Sequence, residues 1–371
     1  MKILSVVGAR PNFIKIAPLI RAMRRHQDIT PILVHTGQHY DVSMAGQFFA
    51  DLQIPAPDVS LDVGSGTHAQ QTAEVMKRVE PVLMEFRPDV VLVVGDVNST
   101  LAAALTAAKL HQRVAHVEAG LRSNDRSMPE EINRLATDAV SDYLFVTEES
   151  GLQNLRREGV DEAKVFFVGN VMIDSLEASR KMWQRATIHS RLGLGREPYG
   201  IVTLHRPATV DRAEILREVI EALGEIATGL PLIFPVHPRT RKHLMEMQAL
   251  AYPLWFGGGQ LPAHGLCCLE PLGYLDFMAL VAKARLVLTD SGGLQEETTA
   301  LGIPCVTLRD NTERPVTVTH GTNQLVGTDP TRIVETARRV LEGRGAAYPP
   351  PPLWDGRAAE RIVTILRERV K

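Results

Sequence analysis

The sequence predicts an α/β fold in two doubly wound domains whose strand ends face each other across a cleft. Three observations predict it. Short β-rich runs alternate with helix-length segments along the whole chain, which indicates right-handed crossovers and parallel sheets covered on both faces. At 371 residues the chain is long enough for two domains, each with its own core. The polar residues cluster just after the strand-like runs, where ligands bind in open parallel sheets.

In chain order, KILSVV opens as a strand, because its apolar run is too short and too soon interrupted by Gly8 and Arg10 for a signal peptide. PILVHT, VVLVVG, VAHVEA, YLFVT and VFFVG follow in the first half, and GIVTL, LIFPV, RLVLT and PCVTL in the second. Between Gly169 and Gly200 the pattern changes to a polar helix, roughly 173–186, with no strand-like run, and this marks the domain boundary. The expected division is a first domain over 1–171, a second over 172–354 and a C-terminal helix, 355–371, returning to the first. Pro349 to Pro352 form a stiff spacer, and Asp355 is placed to cap that helix, whose Ile362, Ile365, Leu366 and Val370 share one face. Both domains are thereby expected to be Rossmann-like.

Composition excludes several classes. Apolar residues make up 44% and charged residues 23%, with a net charge of −2, so no global field favours nucleic acid or an anionic membrane. No apolar run approaches the 18 residues or so of a membrane span. Cys267, Cys268 and Cys305 form neither a disulfide framework nor a zinc spacing, which suits a reduced cytoplasmic protein. His35 and His39 have i, i+4 spacing, but Thr36 and Gly37 break any helix that would align them, so no metal site is expected.

The chemistry is expected at the strand ends. Asp290 to Glu297, DSGGLQEE, reads as a glycine turn opening a helix, where amides of Ser291, Gly292 and Gly293 would receive a phosphate. Glu296 and Glu297 are expected in the first helical turn, favouring the dipole and available to sugar or ribose hydroxyls. Arg10 and Lys15 follow the first strand, Asp96 follows VVLVVG, and Glu118 follows VAHV. Glu130 and Glu131 open a helix after Pro129, His205 follows GIVTL, and Arg314 lies beyond PCVTL. Each has an ordinary structural alternative; Asp96, for instance, fits a helix cap as well as a catalytic acid. Together they suit a diphosphate leaving group beside proton transfer at a sugar carbon. A GxGxxA match at Gly64, Gly66 and Ala69 is not in the first βα turn and follows a short run, so it reads as a loop rather than a dinucleotide site.

On GARPNFIK, HTGQHYD, SGTH, GDVNSTLA, HVEAGLRS, MPEEINR, VGN, DSGGLQEE and LRDNTERP, the chain closely resembles the non-hydrolysing UDP-N-acetylglucosamine 2-epimerase family, almost from end to end. That resemblance implies the two-domain GT-B arrangement and interconversion of UDP-GlcNAc and UDP-ManNAc. The implied route is elimination of UDP, a 2-acetamidoglucal intermediate and re-addition, with no cofactor. It implies Asp96, Glu118 and Glu130 as catalytic acids, with His205 catalytic or contacting phosphate. Arg10, Lys15, Ser291, Gly292, Gly293, Glu297 and Arg314 are implied to bind UDP, and the partnership is a UDP-sugar substrate and a homodimer. A second substrate molecule would reach Gln38 and His39, beside which Tyr40 replaces a frequent arginine. Ala208 and Thr209 stand where Glu-Asn is usual, and Val316 where a glutamate is, which bears on the sugar substituents. Other readings are a modified UDP-sugar substrate, a hydrolysing epimerase, a glycosyltransferase needing an acceptor, and a non-catalytic sugar-nucleotide sensor.

Overall fold

The computed structural model describes residues 1–37, 51–247, 250–257, 261–343 and 349–370. Gln38, His39 and Tyr40 lie outside the described residues. The chain divides into two compact units, Met1–Ala178 with Pro352–Lys371, and Ser179–Pro351. The first division falls inside helix Val171–Trp183 rather than at 171/172.

In the first unit, seven strands form one sheet: β1 Lys2–Val7, β2 Thr30–His35, β3 Val59–Ser60, β4 Val90–Val94, β5 Val114–Ala119, β6 Tyr143–Val146 and β7 Val165–Phe167. Their spatial order is β3-β2-β1-β4-β5-β6-β7 and every pairing is parallel. Strand order therefore reverses direction between β1 and β4. β4 and β5 are buried along their whole length, as parallel strands covered on both faces must be. Leu4, Val6, Val91, Val93 and Val114 pack against Val79, Leu83, Ala103 and Ala107 from helices His68–Phe86 and Asn98–Lys109.

Residues 352–371 complete this unit. Helix Ala358–Arg369 buries Ala358, Ala359, Ile362, Val363 and Leu366, and the Trp354 indole donates to the Thr147 carbonyl at 3.1 Å. Its cap is not Asp355. The Asp174 carboxylate accepts from the amides of Ala358 at 3.1 Å and Ala359 at 2.7 Å, while Asp355 pairs with Arg361. A side chain distant in sequence supplies what the local residue was expected to supply.

The second unit repeats the architecture with β8 Gly200–Thr203, β9 Leu232–Pro235, β10 Leu254–Phe256, β11 Leu266–Leu269, β12 Leu286–Thr289, β13 Cys305–Thr307 and β14 Asn323–Leu325. The order is β10-β11-β9-β8-β12-β13-β14, again all parallel, with the reversal between β8 and β12. Val202, Phe234, Leu286 and Leu288 pack under Leu216, Ile220 and Leu223 of helix Ala213–Ala227. Both units are thus doubly wound and Rossmann-like. All ten strand-like runs noted in the sequence are strands; β3, β10, β11 and β14 are additional. Among the described residues, no helix is long and apolar enough to cross a membrane. The GxGxxA segment leads into helix His68–Phe86, where Thr67 accepts from the Gln70 amide and the Gln70 side chain accepts from the Thr67 amide, a reciprocal cap.

Candidate active site

In each unit predicted residues follow the strands at its reversal point, Arg10 after β1 and Asp96 after β4, His205 after β8 and Ser291 after β12, while Glu118 stands on β5. In the first unit, Arg10 starts helix Arg10–Met23 directly after β1. Asn12 holds that turn in shape, accepting from the Ala9 amide at 3.0 Å and donating to the Val94 carbonyl of β4 at 2.9 Å. Lys15, one turn further along, reaches Glu118 at the end of β5 in a short ion pair, with the two residues 4% and 3% exposed. Burying two charges so deeply costs more than their attraction returns unless both remain paired. Gly95 makes room for the pair: its φ is +70°, and a Cβ there would lie 3.0 Å from Lys15 Nζ. Glu118 itself has φ +75°, a region L-residues rarely occupy, where β5 shifts register between Val117 and Ala119.

Asp96 follows Gly95, and it is not a helix cap. Val97 occupies the cap position of helix Asn98–Lys109, and the Asp96 carboxylate is paired with the buried Arg134 guanidinium. Arg134 is held in turn by Glu131, which also accepts from the amides of Ser123 at 2.9 Å and Asn124 at 3.0 Å. Burial disfavours the Glu131 charge, but these amides and Arg134 bring its pKa below the ordinary value. Asn133 donates to the Asp96 carbonyl at 2.9 Å. Glu130 makes none of these contacts and is half-buried; at i−3 from Asn133 and i−4 from Arg134 it shares the helix face that both turn toward Asp96. Of the two adjacent glutamates, Glu131 is thus structural and Glu130 faces the Asp96 side.

In the second unit, His205 follows β8 and half of its side chain is exposed. Its Nδ1 lies 2.9 Å from Oδ1 of the fully buried Asp290, which also accepts from the amides of His205 at 2.9 Å and Arg206 at 2.8 Å. Burial works against the Asp290 charge, yet His205 and these amides hold its pKa below the ordinary range. The carboxylate fixes Nδ1, so Nε2 is the nitrogen left to meet a ligand.

Helix Gly292–Leu301 starts after β12 with Ser291 as its cap residue, and Ser291 and Gly293 are partly exposed. The Ser291 side chain makes no capping hydrogen bond to that end. Gly292 lies against Arg314, where a Cβ would come within 2.7 Å of Nη1 and 2.8 Å of Glu313 Oε1. Glu313 pairs with Arg314 at 2.5 Å and Arg309 at 2.8 Å, which overcomes burial and drives its carboxyl far below the usual range. The unpaired amides and dipole of a helix N-terminus suit an anion, and Arg314, paired with Glu313 and Glu296, lies beside this one.

Glu296 and Glu297 are not in the first turn. They are the fifth and sixth residues of the helix, facing inward: Glu296 takes Arg314 Nε at 2.9 Å, and Glu297 accepts from the Tyr274 hydroxyl at 3.1 Å. Burial, against the Tyr274 hydrogen bond, raises the Glu297 pKa to about 8. Among the described residues, no group of three or more His, Cys, Asp or Glu is placed to hold a metal ion. Arg134, Asn133 and Tyr274 were given no place by the sequence, while Asp290 and Glu313 lay within its motifs without a role. Asp290 and Glu313 carried the strand-end signal that found their neighbours, and Arg134 carried the i, i+4 spacing from Glu130.

Comparison with known proteins places the chain in a family. The family model described as UDP-N-acetylglucosamine 2-epimerase matches residues 21–367. The chain is 42% identical to the UDP-N-acetylglucosamine 2-epimerase of Methanocaldococcus jannaschii over 99% of both chains. It is also 42% identical to the UDP-2,3-diacetamido-2,3-dideoxy-D-glucuronate 2-epimerase of Pseudomonas aeruginosa, again over 99% of each. A crystal structure of the M. jannaschii UDP-GlcNAc 2-epimerase in complex with UDP-GlcNAc and UDP superposes with a TM-score of 0.89, at 41% identity, over 99% of this chain and 100% of that one. The chain belongs to the UDP-N-acetylglucosamine 2-epimerase family and is an isomerase of the non-hydrolysing type.

Proposed function

We propose that the protein interconverts UDP-GlcNAc and UDP-ManNAc by eliminating and re-adding UDP through a 2-acetamidoglucal. In the forward step the proton leaves C2, the C1–O bond to UDP breaks, and a C1–C2 double bond forms. Re-addition of UDP oxygen to C1 and of a proton to the opposite face of C2 inverts the centre. No redox partner is needed for this balance.

The observation that carries the reading is the acid set on one edge of the first unit. Asp96, Glu118 and Glu130 stand at β4, at β5 and on the helix face bonded to the Asp96 turn. Inversion needs proton exchange on both faces of C2, which two carboxylates can perform. In the second unit, the helix start at Ser291, Gly292 and Gly293 with Arg314 takes the diphosphate, while His205, aligned by Asp290, offers Nε2 to the departing oxygen. Glu297 meets the ribose hydroxyls. Arg10 and Lys15 supply further cations for UDP, and Gln38 and His39 a contact for a second substrate molecule. The protein acts as a cytoplasmic homodimer.

Incubation with UDP-GlcNAc alone in deuterium oxide tests the proposal. Deuterium at C2 with formation of UDP-ManNAc is expected; absence of both would sink this substrate. The 42% identity to the Pseudomonas enzyme favours one second reading, a UDP-sugar modified at C3 and C6, which would show exchange only with the diacetamido-glucuronate substrate. Asp96→Asn, Glu118→Gln and Glu130→Gln should each lower turnover by about a hundredfold or more while leaving UDP affinity within a few-fold. A single mass in sedimentation velocity matching a monomer would overturn the dimer.

A further inference from the structure

We infer that His116 and Asp138 form a buried charged pair that positions the Asp96 and Glu118 turns together, and that His116 carries protons on both ring nitrogens. The inference rests on the catalytic reading of those two acids. His116 is fully buried on β5, two residues before Glu118. Its Nδ1 lies 2.6 Å from Asp138 Oδ1, and its Nε2 lies 2.8 Å from the Gly95 carbonyl oxygen. A carbonyl only accepts, and an ionised carboxylate only accepts, so both hydrogen bonds are made at once only by a ring with two N–H groups.

Asp138 is committed to the ionised form by its other partners. Its Oδ2 accepts from the Gly120 amide at 3.0 Å and from the Arg122 guanidinium at 2.7 Å. The charges around the pair are Arg122 with its second partner Glu158 on one side, and the Lys15–Glu118 pair beside Gly95 on the other.

This geometry ties together what catalysis needs fixed. Asp138 holds β5 on both sides of Glu118, through the side chain of His116 and the backbone of Gly120. Those two anchors bracket the residue whose φ of +75° would otherwise relax. His116 reaches across to β4, where the Gly95 carbonyl belongs to the peptide that leads into Asp96, while the Gly95 amide donates to the Val117 carbonyl at 3.0 Å. One imidazolium thereby sets the spacing between the two turns. His116 and Asp138 are positioning residues: neither is placed to touch substrate.

The test combines kinetics of His116→Asn with ¹⁵N NMR of the wild-type histidine side chains at neutral pH, in the full-length protein. His116→Asn should lower kcat about a hundredfold, the scale of an ångström-sized misplacement, with KM and UDP affinity within about threefold of wild type. The spectrum should show one imidazolium with two slowly exchanging ring protons, absent from the variant. A variant whose kcat stays within threefold while Glu118→Gln is inactive overturns the inference and leaves the catalytic reading standing. Equal losses in kcat, UDP affinity and thermal stability would reveal a merely structural residue and also overturn it. Full activity of Glu118→Gln would remove the catalytic reading and the positioning role with it. Should His116→Asn not fold, a wild-type His116 with a single ring proton decides against the inference and one with two ring protons for it.

Discussion

Gly95 and Gly292 are both places where a missing Cβ makes room for charge, and the same substitution at each should read out differently. Gly95→Ala forces an L-residue to φ +70°, at about 1–2 kcal/mol, and sets a methyl 3.0 Å from Lys15 Nζ. Its expected effect is a lower melting temperature and a turnover loss of tenfold or more, with UDP affinity intact. Gly292→Ala has no backbone penalty, but its methyl would displace Arg314 and Glu313. UDP binding should weaken about tenfold in calorimetry, a shift of about 1.4 kcal/mol. The reverse pattern would contradict the roles proposed for the two units. At this scale the sequence named the acids of the candidate site from their places just past apolar strands, because ligands bind at the carboxyl ends of parallel strands. What was not legible is who holds each acid. Arg134, His116 and Asp138 are polar residues inside regular elements, and nothing local distinguishes a buried ion-pair partner from a solvated one until the helix face is known.

At the scale of elements, Asp174 shows where local capping rules fail. The first amides of helix Ala358–Arg369 take a carboxylate from helix Val171–Trp183, leaving Asp355 to Arg361. Burial, opposed by those two amides, raises the Asp174 pKa to about 6. The folded state therefore holds a proton that the unfolded chain, titrating near 3.9, has already released. The associated stability is fully present below about pH 4, is lost as pH rises toward 6, and changes little above that. Two pKa units correspond to about 3 kcal/mol. Measured by urea unfolding across pH 4 to 7, the stability of Asp174→Asn relative to wild type should improve by about 2–3 kcal/mol with rising pH; a constant difference would contradict the assignment. Two of the four strands that the patterns missed lacked a local signal. β3 and β14 are short edge strands, and β14, NQL, has no apolar run to announce it. Glu296 and Glu297 were misplaced by one turn because the helix begins only at Gly292, after Ser291 has served as cap.

At the scale of the whole molecule, residues 352–371 belong to the first unit although more than 170 residues separate them from the rest of it. Removing them would uncover the partners of Ile362, Val363 and Leu366, all fully buried, at about 1.5–3 kcal/mol each. A chain ending at Pro351 should therefore lose hydrogen-exchange protection across β1 and β4 to β6 while keeping it in β8, β9 and β12. Uniform protection in both sheets would contradict the place of the C-terminal segment in the first unit. The alternation of strands and helices made both sheets readable, since a parallel strand needs a crossover and the crossover advertises itself. The return of the chain was readable only as a proline spacer followed by an amphipathic helix.

That return also constrains biosynthesis. The second unit is contiguous, so it has every residue it needs as soon as its own segment is made. The first unit begins earlier but must wait for the segment beyond Pro351, an interval of roughly 10–35 s at ordinary elongation rates. During that interval the face of helix Arg10–Met23 that awaits helix Ala358–Arg369 stands open on the ribosome, which makes the earliest-made half of the chain the one a chaperone would have most time to meet.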